Sequence, residues 1–160
     1  MKQSDQNEKY SFEDVLEKKG VLVYTNVGVS MMPLLRQKRD IIEIRAKEPG
    51  RCSKYDAVLY KIGKKYILHR ILKVRPNDYV IAGDHCVTLE YGITDDMILG
   101  VMTRVIRDGR EIRVTDLGYR FYVHLWCDFY PVRMFILRNK AKARSLVGAL
   151  KRRMKRKQWF

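Results

Sequence analysis

Short runs of β-branched and aromatic residues follow one another through the middle of the chain and predict a mainly β protein. These runs have the lengths of strands and are separated by polar or glycine-containing segments. They cover residues 21–25, 41–44, 57–60, 66–68, 79–81 and 98–102. Asp108-Gly109 stands between two further apolar runs, 101–106 and 111–114, and strongly indicates a β-hairpin turn.

Helical signals lie at the two ends of the chain. Residues 11–19 begin at Ser11, which can cap a helix, and end at Gly20, so they predict a short helix. From Leu117 on, the apolar residues recur at helical spacing. We therefore predict three segments: an N-terminal helical segment at 1–19, a β-rich domain at 20–117, and amphipathic helices at 118–160.

Two helices are predicted in the C-terminal segment. The first covers the aromatic-rich residues 119–130 and ends before Pro131, because proline disfavours helix in the residue preceding it. The second runs from about Val132 to Lys157, with an apolar stripe on one face and a basic opposite face. Residues 118–160 contain twelve Lys and Arg residues but one acid, Asp128, so most of the net charge of +15 lies there.

Length and composition indicate one globular domain in a reducing compartment. The chain has 160 residues, 46% of them hydrophobic, which suffices for a real core. Three cysteines at unrelated spacings argue against a disulfide framework. No secretory signal is visible at the N-terminus, and the apolar runs 21–32 and 121–137 are too short or too polar to span a bilayer. We expect a cytoplasmic protein.

Three polar residues in three local motifs suggest a hydrolase. Ser30 lies in the box Gly-Val-Ser-Met-Met-Pro at residues 28–33, where the backbone can turn sharply and expose a hydroxyl. A serine hydroxyl is a weak nucleophile without a base, and the best candidate base is His69 in Leu-His-Arg. Asp84 follows in Ala-Gly-Asp.

Hairpin geometry predicts where His69 and Asp84 lie relative to each other. Two runs, 66–74 and 79–84, are joined by a four-residue turn. Pairing Val74 with Tyr79 would place His69 directly across from Asp84, on one face of the sheet. A carboxylate in that position would orient an imidazole. A bulge or a one-residue slip would break this pairing.

The three motifs, in this order, resemble the signal peptidase family of serine endopeptidases. That family shares its β-rich catalytic core with the self-cleaving repressor peptidases. The bacterial signal peptidases have a lysine as the general base, whereas His69 followed by Arg70 is similar to the archaeal and endoplasmic-reticulum branch. The resemblance covers roughly residues 20–107. It implies a signal peptidase-type β core, here with a short N-terminal helix and basic C-terminal helices.

Roles follow from the resemblance residue by residue. It implies that Ser30 is the nucleophile, that His69 is the general base and that Asp84 is its acidic partner. The backbone N–H of Ser30 would bind the oxyanion. Family members also carry a second aspartate downstream, a place that Asp95 or Asp96 fills here, so the acid that assists His69 stays open between these aspartates.

The remaining candidate chemistry is weaker. Cys86 next to His85 suggests a thiol nucleophile or a metal site, but adjacent residues rarely supply two ligands of one tetrahedral zinc, and the chain has no C-x-x-C pair. We expect no cofactor and no metal. The basic segment 132–160 fits an anionic membrane surface, and nucleic acid less well, unless it is simply a solvated helix face.

Two functions are therefore carried forward. The first is a serine endopeptidase that cuts precursor or signal-type peptides through an acyl-enzyme, with the substrate lying extended beside a strand. The second is a non-catalytic peptide-binding protein of the same fold that docks on an anionic membrane or on nucleic acid through its basic tail. Self-cleavage is disfavoured, because no DNA-binding helix pair precedes Ser30.

Overall fold

The chain folds around one antiparallel sheet. The computed structural model describes residues 10–129 together with Arg133, Phe135 and Asn139. This part of the chain is mainly β, as the sequence predicts. Its elements are α1 (Phe12–Lys19), β1 (Val21–Thr25), β2 (Ile41–Ala46), β3 (Ala57–Ile62), β4 (Lys65–Val74), β5 (Tyr79–Ala82), β6 (Glu90–Ile93), β7 (Ile98–Arg107), β8 (Arg110–Arg113) and α2 (Leu117–Asp128), with a short 3-10 turn at Asp95–Met97.

Helix α1 forms where its caps predict it. Ser11 Oγ accepts the amide N–H of Asp14 at 3.1 Å, and the Asp14 carboxylate accepts the amide N–H of Ser11 at 2.8 Å. Gly20 ends the helix with a φ of 69°, a conformation that glycine adopts without strain. Glu13 on this helix binds Lys61 and Tyr66, which ties α1 to the β3–β4 hairpin.

The sheet has the strand order β1-β2-β7-β3-β4-β5-β6, with β8 paired to β7, and every pairing is antiparallel. The long strand β7 lies between β2 and β3 and then continues into the predicted hairpin with β8. Asp108 and Gly109 both have positive φ, 49° and 77°, as a tight two-residue hairpin turn requires.

The β4–β5 hairpin contains a bulge, and the predicted register is wrong beyond it. Val74 pairs with Tyr79 as expected, but Ile71 pairs with Ile81 and Arg70 with Ala82. Leu72 is therefore an extra residue on β4, and it shifts every later pair by one position. Continuing this register, the residue opposite His69 is Gly83 rather than Asp84.

Strand β6 was not predicted. Its four residues, Glu-Tyr-Gly-Ile, include a glycine with a φ of 74°, and glycine is depleted in strands. The strand pairs irregularly with β5 and completes one edge of the sheet. Its first residue, Glu90, lies at the candidate site described below.

Of the two helices predicted in the C-terminal segment, only the first falls within the described residues. Helix α2 covers most of the predicted 119–130 helix, whereas the predicted second helix at 132–157 lies outside the described residues, apart from the three named above. The chain divides into two compact units between Arg120 and Phe121. None of the helices in the described part is long and apolar enough to cross a membrane.

The core of the first unit is built from residues of the sheet and includes one cluster of buried side chains. Its buried cluster joins apolar and aromatic side chains of β3, β4, β5, β6 and β7 with Cys52. Two tyrosines belong to it, Tyr60 and Tyr79, and both are fully buried. Their hydroxyls are hydrogen-bonded, since a buried hydroxyl without a partner would be costly. The core therefore presents ordered polar groups as well as apolar area.

The loop that carries Ser30 is anchored at its base by Asp40. This carboxylate is fully buried and accepts hydrogen bonds from Arg39 (2.6 Å), Arg107 (2.9 Å) and the Arg36 amide (2.9 Å). Burial alone would raise the pKa of Asp40, but these donors together lower it well below its ordinary value. Arg107 also donates to the carbonyl of Leu34. The loop 26–40 is thus tied to β7 at its second half.

Replacing Asp40 by asparagine should destabilise the protein by about 3 kcal/mol, at the low end for breaking a buried ion pair, because both arginines are partly exposed. Urea unfolding at neutral pH measures this loss. The difference from wild type should shrink as the pH falls below 3.8. In that range Asp40 is protonated in the unfolded wild-type chain, whereas the lowered pKa of Asp40 in the folded protein keeps it ionised.

The matched control is Asp108→Asn, the same chemical change in the exposed β7–β8 turn, where asparagine also tolerates positive φ. It should change stability by less than about 0.5 kcal/mol. Equal losses in the two variants would contradict the anchoring role of Asp40.

Candidate active site

Three segments that are distant in sequence meet at Gly83. Ser30 lies in the turn of the loop between β1 and β2, His69 lies near the middle of β4, and Gly83 follows β5 directly. The amide of His85 donates to the carbonyl of Ser30 at 2.7 Å, which joins the serine loop to the segment after β5. The Ser30 backbone and the His69 imidazole therefore both lie next to Gly83.

Gly83 is required at this point because there is no room for a side chain. A Cβ on Gly83 would lie 2.6 Å from the Ser30 carbonyl oxygen, 2.8 Å from Cys86 Sγ and 3.0 Å from His69 Nε2. The φ of Gly83 is not positive, so the requirement is one of space rather than of backbone conformation. The same distances show that the serine backbone, the imidazole and the Cys86 thiol surround one small volume.

The other ring nitrogen of His69 faces a carboxylate. Nδ1 lies 2.8 Å from Glu90 Oε1 and 3.1 Å from the hydroxyl of Tyr60. The Tyr60 hydroxyl in turn donates to Glu90 Oε2 at 2.5 Å. Glu90 is the acid that contacts His69 in the structure.

Hydrogen-bond donors and acceptors determine the tautomer that this arrangement favours. The single proton of Tyr60 is given to Glu90, so Nδ1 of a neutral His69 must carry a proton to bond the other carboxylate oxygen. Burial and the bond to Glu90 both raise the pKa of Tyr60, which keeps that hydroxyl protonated. The lone pair of His69 is then on Nε2, the nitrogen that faces Gly83 and the serine loop.

Burial makes His69 a neutral base near pH 7. The residue is 6% exposed, and desolvation lowers its pKa below the ordinary 6.5, while the charges of Glu90 and Asp84 partly offset this effect. Nε2 forms no hydrogen bond with any described residue, although it is not among the fully buried unpaired atoms of that part of the chain. A neutral imidazole with an available nitrogen is what general-base catalysis needs.

Ser30 is half-buried, and its side chain is not yet joined to the imidazole. Within the described residues its hydroxyl and its amide N–H form no hydrogen bond, and the hydroxyl lies 4.0 Å from the position that a Cβ on Gly28 would occupy. Rotation about the Cα–Cβ bond redirects the hydroxyl, since serine has three staggered rotamers. Catalytic hydrogen bonds are often long or absent before substrate binds.

Asp84 forms an ion pair with Arg70 rather than a hydrogen bond with His69. Arg70 donates through Nε to Oδ1 at 2.9 Å and through Nη2 to Oδ2 at 2.8 Å, and both side chains are fully buried. The bulge at Leu72 moves Asp84 out of register with His69, and the planar guanidinium fork matches both carboxylate oxygens. Asp84 therefore acts on His69 only through its charge at a distance.

The alternative acids, Asp95 and Asp96, do not contact His69. Asp95 accepts from the hydroxyl of Tyr79 at 2.6 Å and pairs with Lys47 and Arg51. Asp96 lies beside it in the 3-10 turn and lines a cleft near α1. Neither aspartate is placed where it could orient the imidazole by a hydrogen bond.

Glu90 and Tyr60 are the functional candidates that sequence reasoning missed. Glu90 begins a strand that was not predicted, and pairs with Ile81 on β5. Tyr60 lies two residues from Val58, the β3 partner of His69, so both side chains point to the same face. That alternation was readable once β3 and β4 were paired, whereas no local signal marked Glu90.

No protein family, curated protein or solved structure shows significant similarity to this chain. Within the described residues, no three His, Cys, Asp or Glu side chains converge as the ligands of a metal ion would. What the geometry provides is a carboxylate–imidazole pair beside a serine.

Replacing Glu90 by glutamine should lower the pKa of His69 further, because the negative charge of Glu90 favours the protonated imidazole. NMR titration of the histidine ring signals, assigned with His69→Gln, measures this shift directly and needs no enzymatic activity. Glu111→Gln, on the exposed β8, is the matched control and should leave the His69 titration unchanged. A titration unaltered in Glu90→Gln would exclude the ion pair.

Gly83→Ala should cost about 1–3 kcal/mol of stability, because the added methyl group has to displace the Ser30 backbone or the imidazole. Gly118→Ala is the matched control, since a Cβ there meets nothing within 4 Å and alanine favours helix. Thermal unfolding compares the two variants. Equal melting temperatures would mean that a methyl group at Gly83 fits without displacing its neighbours.

Proposed function

We propose that this protein is a serine endopeptidase of the signal peptidase type, with Ser30 as nucleophile and His69 as general base. The observation that carries the proposal is the state of His69: its Nδ1 is bonded to Glu90, and its Nε2 faces the Ser30 segment at Gly83. A buried carboxylate–imidazole pair aimed at an exposed serine loop is the arrangement that activates a hydroxyl. The order of the three sequence motifs supports the same assignment.

In the first step His69 Nε2 removes the proton of the Ser30 hydroxyl while the oxygen attacks the carbonyl carbon of a peptide bond. Glu90 accepts the hydrogen bond from Nδ1 and stabilises the imidazolium that forms. Tyr60 holds the second oxygen of Glu90, so the carboxylate cannot rotate away from the ring. The amide N–H of Ser30, which bonds no other described residue, donates to the oxyanion.

In the second step the imidazolium donates its proton to the leaving amine, and the peptide bond breaks. The acyl group remains on Ser30 until water, deprotonated by His69, attacks the ester and releases the acid. Glu90 takes over the role that the sequence analysis assigned to Asp84, Asp95 or Asp96. Asp84 contributes by binding Arg70, which lies next to His69 on β4.

The substrate we infer is an extended peptide with small residues beside the cleaved bond. This expectation follows the resemblance, and the serine loop is consistent with it. Val27 and Val29, which precede Ser30 on that loop, are 66% and 51% exposed and present apolar surface to solvent. An apolar peptide would cover these side chains and exclude water from the reacting groups.

Ser30→Ala and His69→Ala should each reduce cleavage of a small-residue peptide library by at least about 1,000-fold, because they remove the nucleophile and its base. Glu90→Gln should reduce it by about 100-fold or more, whereas Asp96→Asn, the matched loss of an acid outside the site, should retain it. Mass spectrometry of the products measures all four variants.

Undiminished cleavage by Ser30→Ala or His69→Ala would refute the assignment. Peptide binding without cleavage by wild-type protein would instead favour the non-catalytic peptide-binding function. Circular dichroism of each variant shows whether a loss of activity reflects a loss of fold.

The pH dependence of kcat/KM should follow the deprotonation of His69. Its pKa lies below 6.5, so the activity should be at its plateau at neutral pH and should fall as the pH drops through that lowered pKa. In Glu90→Gln the residual activity should persist to still lower pH. An acid limb above pH 6.5 would show that another group, or a charged His69, controls the rate.

A further inference from the structure

The thiol of Cys86 lies against the same small volume as the catalytic base. A Cβ on Gly83 would be 2.8 Å from Cys86 Sγ and 3.0 Å from His69 Nε2, so the two atoms are no farther apart than the sum of those distances. The position is held by a tight turn, in which the Cys86 amide donates to the Gly83 carbonyl at 3.0 Å.

The space beside Gly83 is also bordered by the His69 imidazole. The His69 side chain is 8% exposed, and its Nε2 has no hydrogen-bond partner among the described residues. An imidazole nitrogen that lies next to a thiol can take the thiol proton, and the thiolate is the form that reacts. The three cysteines differ in burial: Cys52 and Cys127 are each 8% exposed, whereas Cys86 is half-buried. None of the three forms a disulfide within the described part of the chain.

We propose that Cys86 is a modification site that switches the Ser30–His69 pair off, through exchange with a small disulfide such as oxidised glutathione. This inference rests on the proposed function for its consequence, but not for its chemistry. A group attached to the sulfur extends from an atom that lies beside Gly83 and close to His69 Nε2. His69 Nε2 would then be kept from the Ser30 hydroxyl.

The thiol–disulfide exchange needs no oxidant other than the small disulfide itself. The Cys86 thiolate attacks one sulfur of the small disulfide, a new sulfur–sulfur bond forms, and the original one breaks. The other half leaves as a thiolate and takes up the proton that Cys86 lost to His69. A small thiol reverses the reaction by the same steps, so the inhibition is reversible under reducing conditions.

The first experiment measures the modification itself. Wild-type protein is incubated with oxidised glutathione, and intact mass with peptide mapping follows each cysteine. Cys86 should react about tenfold faster than Cys52, whose thiol is buried in the core and has a raised pKa. His69→Gln should slow the reaction of Cys86 several-fold. Faster reaction at Cys52 or Cys127, or a rate unaffected by His69→Gln, would overturn the proposal.

The second experiment measures the consequence. Peptide cleavage should fall in proportion to the modified fraction of Cys86 and return after dithiothreitol, while Cys86→Ala should cleave normally and ignore oxidised glutathione. Cys86→Ser serves as a second variant if alanine disturbs the turn. Full activity of protein modified at Cys86 would overturn the switch while leaving the peptidase assignment intact.

Failure of the proposed function gives a different pattern. If unmodified wild-type protein cleaves nothing, the peptidase assignment fails, and the NMR titration of His69 decides the remaining question. Attachment of glutathione at Cys86 should shift the His69 ring signals and their titration, because the group lies against Nε2. Unchanged signals would show that the thiol does not control this volume.

Discussion

The buried ion pair between Arg70 and Asp84 is the interaction on which the site depends. Arg70 follows His69 on β4, and Asp84 follows Gly83 after β5. The ion pair between Arg70 and Asp84 therefore holds His69 next to Gly83. Arg70 also donates through Nη1 to the Tyr55 carbonyl and the Tyr119 hydroxyl. A buried charge is costly unless it is paired and fully hydrogen-bonded. This bonded pair therefore specifies one relative position of β4 and the turn after β5.

The candidate site is assembled from paired strands and a loop that is held at two points. His69, Tyr60 and Glu90 all lie on paired strands, and their side chains are bonded to one another. The serine loop is fixed near its end by Asp40 and at its turn by the bond from the His85 amide. The Ser30 hydroxyl forms no hydrogen bond within the described residues. For the proposed peptidase, strands that hold His69, Tyr60 and Glu90 in fixed contact would reduce the reorganisation needed before an attack on a substrate carbonyl.

The polar groups around His69 also show how Glu90 makes the contact with the imidazole that was expected of an aspartate. What orients an imidazole is a carboxylate oxygen at hydrogen-bond distance from Nδ1, whichever residue supplies it. Asp84 is engaged by Arg70, and a glutamate on the next strand is long enough to reach the ring. Tyr60 then keeps that longer side chain in place. The thiol of Cys86 lies near Gly83 together with Nε2, the ring nitrogen of His69 that does not contact Glu90.

The sequence by itself determined most of the local structure. Helix α1, strands β1 to β5, β7 and the β7–β8 turn follow from caps, turn residues and β-branched runs, which act over a few neighbours. Ser30 and His69 were also recognisable as candidates from their motifs. Only the tertiary structure decided the partners: the bulge at Leu72 shifts a register by one residue, and the short β6 brings Glu90 to His69 from 21 positions away. Bulges and edge pairings depend on packing between distant strands, and no local pattern records them.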